Sequence, residues 1–406
     1  KDLKEKGIHP DMIRSYDDFL TVPLMDKATY LRAYPFFDLF PGRKIPPAVS
    51  ASSGSSGKPF YWPRGDDQEE AGGKMHERIF RDIYHIAKDE PTLVIVCFSM
   101  GTWIAGAYTF ASMRWMSRAG WTISTITPSI EKEDAVAILR DLAPLFRRIV
   151  LAGYPPLLRD VLEEAAAQNV NISALRPNLL FAGESFSEKW RDSMHALVGI
   201  SDAYFGSASI YGTADAGAVG HETPITTYLR REISKRPSLA ERFNVESVVP
   251  TIVQYDPRKI FFEKVGGEFV FTTQAGIPLV RYAIHDTGEL VSHDEMRSLL
   301  SEEGLVSKAE KLGFNEWNLP FIFLGSRSDV STTFYALNIY PENIKAGLEA
   351  SEVQPHVSGK FLIYTKTGNR GRDQKLYVDV ECARDVAASP ALARKLAKSI
   401  FGNLLK

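Results

Sequence analysis

Residues 50–64 read SASSGSSGKPFYWPR, five serines and two glycines running into a Lys-Pro. Small residues let a backbone approach a ligand closely and turn its N–H groups inward, which makes a concave anion site. Serine hydroxyls add donors and Lys58 adds a mobile positive charge, so phosphate is the natural guest. The Walker A loop, GxxxxGK[ST], is excluded on two counts. Ser52 stands where that loop needs its first glycine, and Pro59 stands where it needs a Ser or Thr for magnesium. Pro59 also pushes Lys58 out of the helical region, so no helix begins directly after the lysine. A flexible Ser/Gly linker shares the composition. Three consecutive aromatics, Phe60, Tyr61 and Trp62, argue against one.

The surrounding chain is of an ordinary globular kind. Its 406 residues exceed one average domain, and it is 44% hydrophobic and 24% charged with a formal net charge of −2. No basic block is present, which disfavours nucleic acid as a partner. Apolar runs such as TLVIVCF (92–98) fall far short of the roughly 18 residues a membrane span needs, so no membrane association is expected. Cys97 and Cys382 lie in apolar or strand-like stretches without metal-ligand spacing, as buried thiols of a reducing compartment would. The expected location is cytoplasmic; the sequence begins at Lys1 rather than Met, which leaves a preceding targeting segment open.

Periodicity predicts helices within 11–34, then a helix over 66–87 with Met75, Ile79, Ile83 and Ile86 on one face. TLVIVCFS, GWTISTITPS, RRIVLAGYPP and NLLFAGES read as strands alternating with helices, which implies a parallel or mixed sheet covered by helices. After about residue 245 short strands with Gly turns predominate. The end of the chain reads as a hairpin and a helix. The expected fold is therefore α/β: a large N-terminal domain of mixed β-sheets covered by helices (1–325), with a β-rich subdomain at about 246–325, and a small α+β C-terminal domain (326–406).

With those elements in place, SSGSSGKP resembles the phosphate loop of the adenylate-forming superfamily, which holds acyl- and aryl-CoA synthetases, luciferases and peptide-synthetase adenylation domains. The Lys-Pro order resembles its phenylacetate–CoA ligase branch. Further stretches resemble that branch in order: the leader GIHPDMIRSYDDFLTVPLMDKATYLRAYPF, SMGTWIAGA (99–107), LAGYPPLLRDVLEEA, AGESFSEKWRDSM (182–194), SIYGTADAG (209–217), LVRYAIHDTGEL (279–290) and GSRSDVSTTFYALNIYPENI (325–344).

The resemblance implies ATP-dependent activation of a small-molecule carboxylic acid to an acyl-adenylate, with coenzyme A as acceptor and Mg²⁺ as cofactor. Ser52, Ser53, Gly54, Ser55, Ser56, Gly57 and Lys58 would wrap the outer phosphates of ATP, with Lys58 also catalytic. Gly183, Glu184, Ser185, Ile210, Tyr211, Gly212 and Thr213 would line the adenine, Tyr211 by stacking. Asp286 would accept from both ribose hydroxyls, which suits an acceptor-only carboxylate. Arg327 would reach the phosphate or ribose at the domain boundary. Asp215 stands where relatives carry a glutamate and would be a catalytic metal ligand. Met100, Gly101, Trp103, Ala216, Gly217, His221 and His285 would face the acid, with Trp103 favouring an aromatic one.

The chain also departs from that pattern. RYAIHD lacks the usual Arg-Thr-Gly before Asp286, Val330 replaces a hinge aspartate, and Tyr335 and Ala336 replace a basic residue and a glycine. The Gly-Lys segment that carries a lysine in relatives is not among the 406 residues. These changes bear on thioester formation more than on adenylation. Three readings therefore stand: transfer to CoA; transfer to a downstream reductase, carrier protein or amine; and a non-catalytic nucleotide or aromatic-acid binder. A homodimer is compatible with each.

Overall fold

Antiparallel pairing flanks the Ser/Gly stretch. The computed structural model describes residues 2–52, 59–243, 250–327, 332–334, 337–339, 341–367 and 374–404. In it, β1 (Ala48–Ala51) pairs with β2 (Tyr61–Arg64) in the register Ala48↔Arg64 to Ala51↔Tyr61. Along β2 only Tyr61 is exposed; Trp62, Pro63 and Arg64 are buried. Ser53, Gly54, Ser55, Ser56, Gly57 and Lys58 lie outside the described residues.

Strands β3 (Thr92–Cys97), β4 (Ile123–Ile126), β5 (Arg148–Gly153), β6 (Asn178–Ala182) and β7 (Ser207–Thr213) run parallel in the order β4-β3-β5-β6-β7. All six residues of β3 are buried, as a strand covered on both faces must be, and its Val/Ile run follows from that. Proline in the first turn starts the helices Pro155–Ala167 and Pro224–Lys235. Ser187 caps helix Glu188–Val198 by accepting from the Trp190 amide at 3.2 Å, and Gly199, with φ +74°, ends it.

Beyond β7 the sheet becomes antiparallel through β8 (Gly217–His221), β9 (Thr251–Tyr255), β10 (Ile260–Val265), β11 (Glu268–Ala275), β12 (Ile277–Val291) and β13 (Phe321–Arg327). The eleven strands form one sheet, ordered β10-β11-β12-β13-β9-β8-β7-β6-β5-β3-β4. The β-rich stretch thus extends the α/β sheet, joined to it where Gly220 pairs with Tyr255. Glycine is needed at that junction, because a Cβ on Gly220 would stand 2.7 Å from the Gln254 carbonyl.

The helix expected over 66–87 is α-helical only across Asp66–Arg78 and widens to a π-turn over Ile79–Ile83. The wider turn buries Ile79, Phe80 and Ile83 against the sheet. A small α+β unit closes the chain. It contains the hairpins β14 (Thr332–Phe334)–β15 (Leu337–Ile339) and β16 (Val357–Thr367)–β17 (Gln374–Cys382), with helices Pro341–Leu348 and Pro390–Leu404. Its own core is built on Ile344, Leu348, Val353, Val357, Leu396 and Ile400. It rests on the large unit through Arg159, whose Nη1 donates to the carbonyls of Val357 and Ser358 at 3.3 Å, and through Glu349, whose Oε2 accepts from the Ser187 amide at 3.1 Å.

Candidate active site

Where strands β6 and β7 end, their carboxyl edges open onto a cleft of about 740 Å³. Open α/β sheets bind ligands at such edges. Ser52, Gly183, Glu184, Ser185, Ile210, Tyr211, Gly212, Thr213, Asp215 and Asp286 all line it, although they come from four separate stretches of sequence. Gly183 sits at φ +90° at the end of β6, with the Tyr154 ring so close that a Cβ would lie 2.5 Å from it. Ser52 closes the base of the Ser/Gly stretch: its amide donates to the Phe60 carbonyl at 2.9 Å and its Oγ accepts from the Phe60 amide at 3.0 Å.

Tyr211 and Asp286 face each other across the cleft, and the tyrosine hydroxyl donates to Asp286 Oδ2. A bulge in the β12–β13 pairing between Asp286 and Gly288 re-aims the aspartate. The preceding residue, His285, adopts φ +64°, a left-handed conformation that costs a non-glycine residue energy. Arg327 is paired in register with Asp286 at the end of β13.

Asp215 lines the same cleft from the turn after β7. Its Oδ1 accepts from the Tyr282 hydroxyl at 3.1 Å and stands 3.3 Å from Lys27 Nζ. Arg64, only 7% exposed, donates to the adjacent Ala214 carbonyl, to Ser50 Oγ at 2.9 Å and to the Pro63 carbonyl. Burial lowers the Arg64 guanidinium to about 10, and the charge of Asp215 opposes that fall. Among the described residues no three His, Cys, Asp or Glu side chains converge as a metal cage. A single hard carboxylate suits magnesium carried on a triphosphate, which takes one or two protein carboxylates plus phosphate oxygens, and Asp215 is the residue that would supply it.

Beneath β7 lies a buried charge network. Arg191 Nη2 donates to Glu222 Oε1 at 2.7 Å, Arg230 pairs with the same oxygen, and Glu222 Oε2 accepts from the Ser209 amide at 2.8 Å. Burial alone would raise the Glu222 carboxyl, but Arg191 and Arg230 overcome it and hold it below the usual range. This network fixes the backbone two residues before Tyr211.

The residues expected to face the acid are placed elsewhere. Met100, Gly101 and Trp103 form a turn beside β1, where the Ala51 amide donates to the Thr102 carbonyl at 2.7 Å; Trp103 is 49% exposed and does not line the cleft. Its extended backbone starts helix Ile104–Arg118 and turns the indole outward. His221 is buried on the far side, its ring 5.4 Å from that of Trp317, with Nδ1 bonded to the Glu222 carbonyl at 2.7 Å. Strand alternation explains this: β8 pairs His221 with Ile210, so both side chains share the face that packs with Trp317, opposite the face of Tyr211. His285 turns to Glu268, 3.0 Å away, and Ala216 and Gly217 lie behind the Asp215 turn without lining the cleft. Val330, Tyr335 and Ala336 fall outside the described residues.

Three lysines in the cleft have no counterpart among the residues expected from sequence: Lys27, Lys345 and Lys360. Lys345 pairs with Glu184 at 3.2 Å and Lys360 with Asp160, so both bridge the small unit to the large one. Lys27 follows Asp26, which caps the turn Lys27–Leu31 through the Thr29 amide at 2.7 Å. An Asp-x-x-Thr cap marks the turn in the sequence but says nothing of its neighbours in space.

No family model matches the chain. In sequence it is 22% identical over 294 residues to a phenylacetate–coenzyme A ligase of Aromatoleum evansii, an alignment covering 72% of this chain and 61% of that protein. In structure it superposes on a 2-hydroxyisobutyryl-CoA ligase in its postadenylation state with a TM-score of 0.68, at 17% identity, covering 99% of this chain and 78% of the other. The same ligase in its thioesterification state gives 0.58 at 18% identity with the same coverage. The fold is that of the adenylate-forming ligases. In sequence the chain is similar to a phenylacetate–CoA ligase, a protein of the branch that its motif order resembles.

Proposed function

We propose that this protein activates a carboxylic acid with ATP and passes the acyl group to coenzyme A. The observation that carries the reading is the convergence of Gly183–Ser185, Tyr211–Thr213, Asp215 and Asp286 on one cleft at the carboxyl edge of the sheet. The aligned ligase spans more than the matched part, so the activity of the whole rests on this proposal.

In the first half-reaction a carboxylate oxygen attacks the α-phosphorus. The Pα–O bond to pyrophosphate breaks and pyrophosphate leaves with the electron pair. In the second, the CoA sulfur attacks the acyl carbon, the bond to AMP breaks, and the thiol proton passes to solvent. Such chemistry asks the protein for positioning and for charge placed where charge grows. Asp286 would orient the ribose, as an acceptor-only carboxylate can, with Tyr211 donating to one of its oxygens. The backbone of Gly183–Ser185 would border the base. Asp215 would hold magnesium, which neutralises phosphate charge. Ser52–Lys58 would enclose the outer phosphates.

An aromatic acid is the proposed substrate, on the likeness to phenylacetate–CoA ligase. The test is pyrophosphate release over a panel of aromatic and short aliphatic acids, with and without CoA, alongside thiol consumption. Acid-dependent release with matching thiol loss is expected. Acid-dependent release without thiol loss would move the acceptor away from CoA, and AMP binding without any acid-dependent release would remove the enzyme reading.

A further inference from the structure

Lys27 is delivered to the cleft by a segment that the sequence alone makes look like a surface leader. Met25 is stitched to β12 by two backbone hydrogen bonds, its amide to the Arg281 carbonyl at 3.0 Å and its carbonyl from the Ala283 amide at 2.8 Å. The buried Arg281 side chain donates to the Leu20 and Val22 carbonyls and pairs with Glu263 at 3.0 Å, anchoring the same segment. The capped turn then starts at Lys27. The lysine is thus tied to the strand that carries both Tyr282 and Asp286. Its side chain keeps 28% exposure while its ammonium stands over Asp215.

Charge at this end of the cleft is unbalanced. Asp215 is one carboxylate facing two cations, Lys27 and the desolvated Arg64 behind it. Arg64 spends its donors on Ser50 Oγ and the Pro63 and Ala214 carbonyls, and among the described residues no carboxylate lies within ion-pair distance of it. Positive charge is left over beside Asp215, and Ser52, at the base of the Ser/Gly stretch proposed above to enclose phosphate, lines the same cleft. By contrast, Lys345 and Lys360 are each matched to a carboxylate in docking the small unit.

We infer that Lys27 is a nucleotide-contacting cation: its ammonium meets the α-phosphate oxygens of ATP and of the acyl-adenylate, with Asp215 and Tyr282 as positioning residues. The inference rests on the adenylating reading above. It gives the cleft a charge supplied by the large unit itself, which does not depend on the placement of the small one.

The experiment is calorimetric binding of AMP and of adenosine, both in EDTA, to wild type, Lys27→Met and Lys27→Arg. The lysine contact is to the phosphate, so Lys27→Met should weaken AMP roughly 10- to 100-fold, the range of one charge-assisted hydrogen bond. Adenosine should change less than about twofold, and Lys27→Arg should recover part of the AMP affinity, since it keeps the charge. Thermal unfolding should be nearly unmoved, as for a partly exposed ion pair. AMP affinity unchanged in Lys27→Met overturns the inference alone. Equal losses for AMP and adenosine also overturn it, making the lysine a structural fastener. A wild type that binds neither ligand overturns the adenylating reading and the lysine's role together.

Discussion

The hydroxyl of Tyr211, on β7, donates to the carboxylate of Asp286, on β12, and so joins two strands that are 75 residues apart in sequence and not neighbours in the sheet. The bond holds the two strands together where both line the cleft. Asp286→Ala removes both the proposed ribose acceptor and this tie, and AMP affinity measured by calorimetry should fall at least tenfold, as for loss of a charge-assisted hydrogen bond. Tyr211→Phe keeps the ring and removes only the tie, so it should cost about 0.5–1.5 kcal/mol of binding. Wild-type affinity in Asp286→Ala would show that the ribose lies elsewhere.

Acid should destabilise the fold before it reaches the carboxylates. Burial lowers His76, His195 and His221 to about 4 from an ordinary 6.5, with the Arg191 charge adding to the effect at His195. Each is neutral when folded, whereas the unfolded chain takes up the proton below about 6.5. Stability is therefore full above 6.5 and falls between about 6.5 and 4, each histidine contributing a slope approaching ~1.4 kcal/mol per pH unit. Urea unfolding at pH 7.5 and pH 5 reads the difference, and a flat profile over that window would contradict the buried neutral state. The acceptor bonds from Gly72 and Glu222 carbonyls to two of these rings fit a protonated Nδ1 and a neutral ring.

The network under β7 should be costly to break from one side. In Glu222→Gln the shape is kept but Arg191 and Arg230, at most 3% exposed, lose their shared counter-charge. A loss of about 3–5 kcal/mol in unfolding free energy is expected, because an unpaired buried charge remains. Equilibrium urea melts test it; a change under ~1 kcal/mol would mean that Glu188, which also pairs with both arginines, suffices alone.

Docking of the small unit should depend on the Lys345–Glu184 pair. Reversal in Lys345→Glu sets two like charges together, and the double variant Lys345→Glu/Glu184→Lys restores the attraction. Small-angle scattering should report a larger radius of gyration for the single reversal and recovery in the double. A double variant as extended as the single would remove the pair from the docking account.

How much of this was legible beforehand follows the physics of each feature. The parallel strands were, because a strand buried on both faces must be an unbroken apolar run like TLVIVC. The convergence of Gly183–Ser185, Tyr211–Thr213 and Asp286 on one cleft was, because each comes from a short local motif at the end of one strand. The direction of His221 was not: a bulge between Tyr211 and Gly212 shifts the β7–β8 register, which pairs His221 with Ile210 and packs it on Trp317, and the local sequence carries no sign of that bulge. That Trp103 would stand outside the cleft was not legible either, since a motif fixes the turn but not which way a cap residue points. Lys27 was missed because its position depends on the pairing of Met25 with β12, a contact more than 250 residues away in sequence that leaves no local signal.

The central claim, that the cleft makes acyl-adenylates, is tested most directly by acid-dependent exchange of labelled pyrophosphate into ATP, compared between wild type and Asp286→Ala. The account predicts exchange that requires both a carboxylic acid and ATP, and its loss in the variant. Absence of exchange with every acid tried, in a wild-type protein shown by calorimetry to bind AMP, would contradict it.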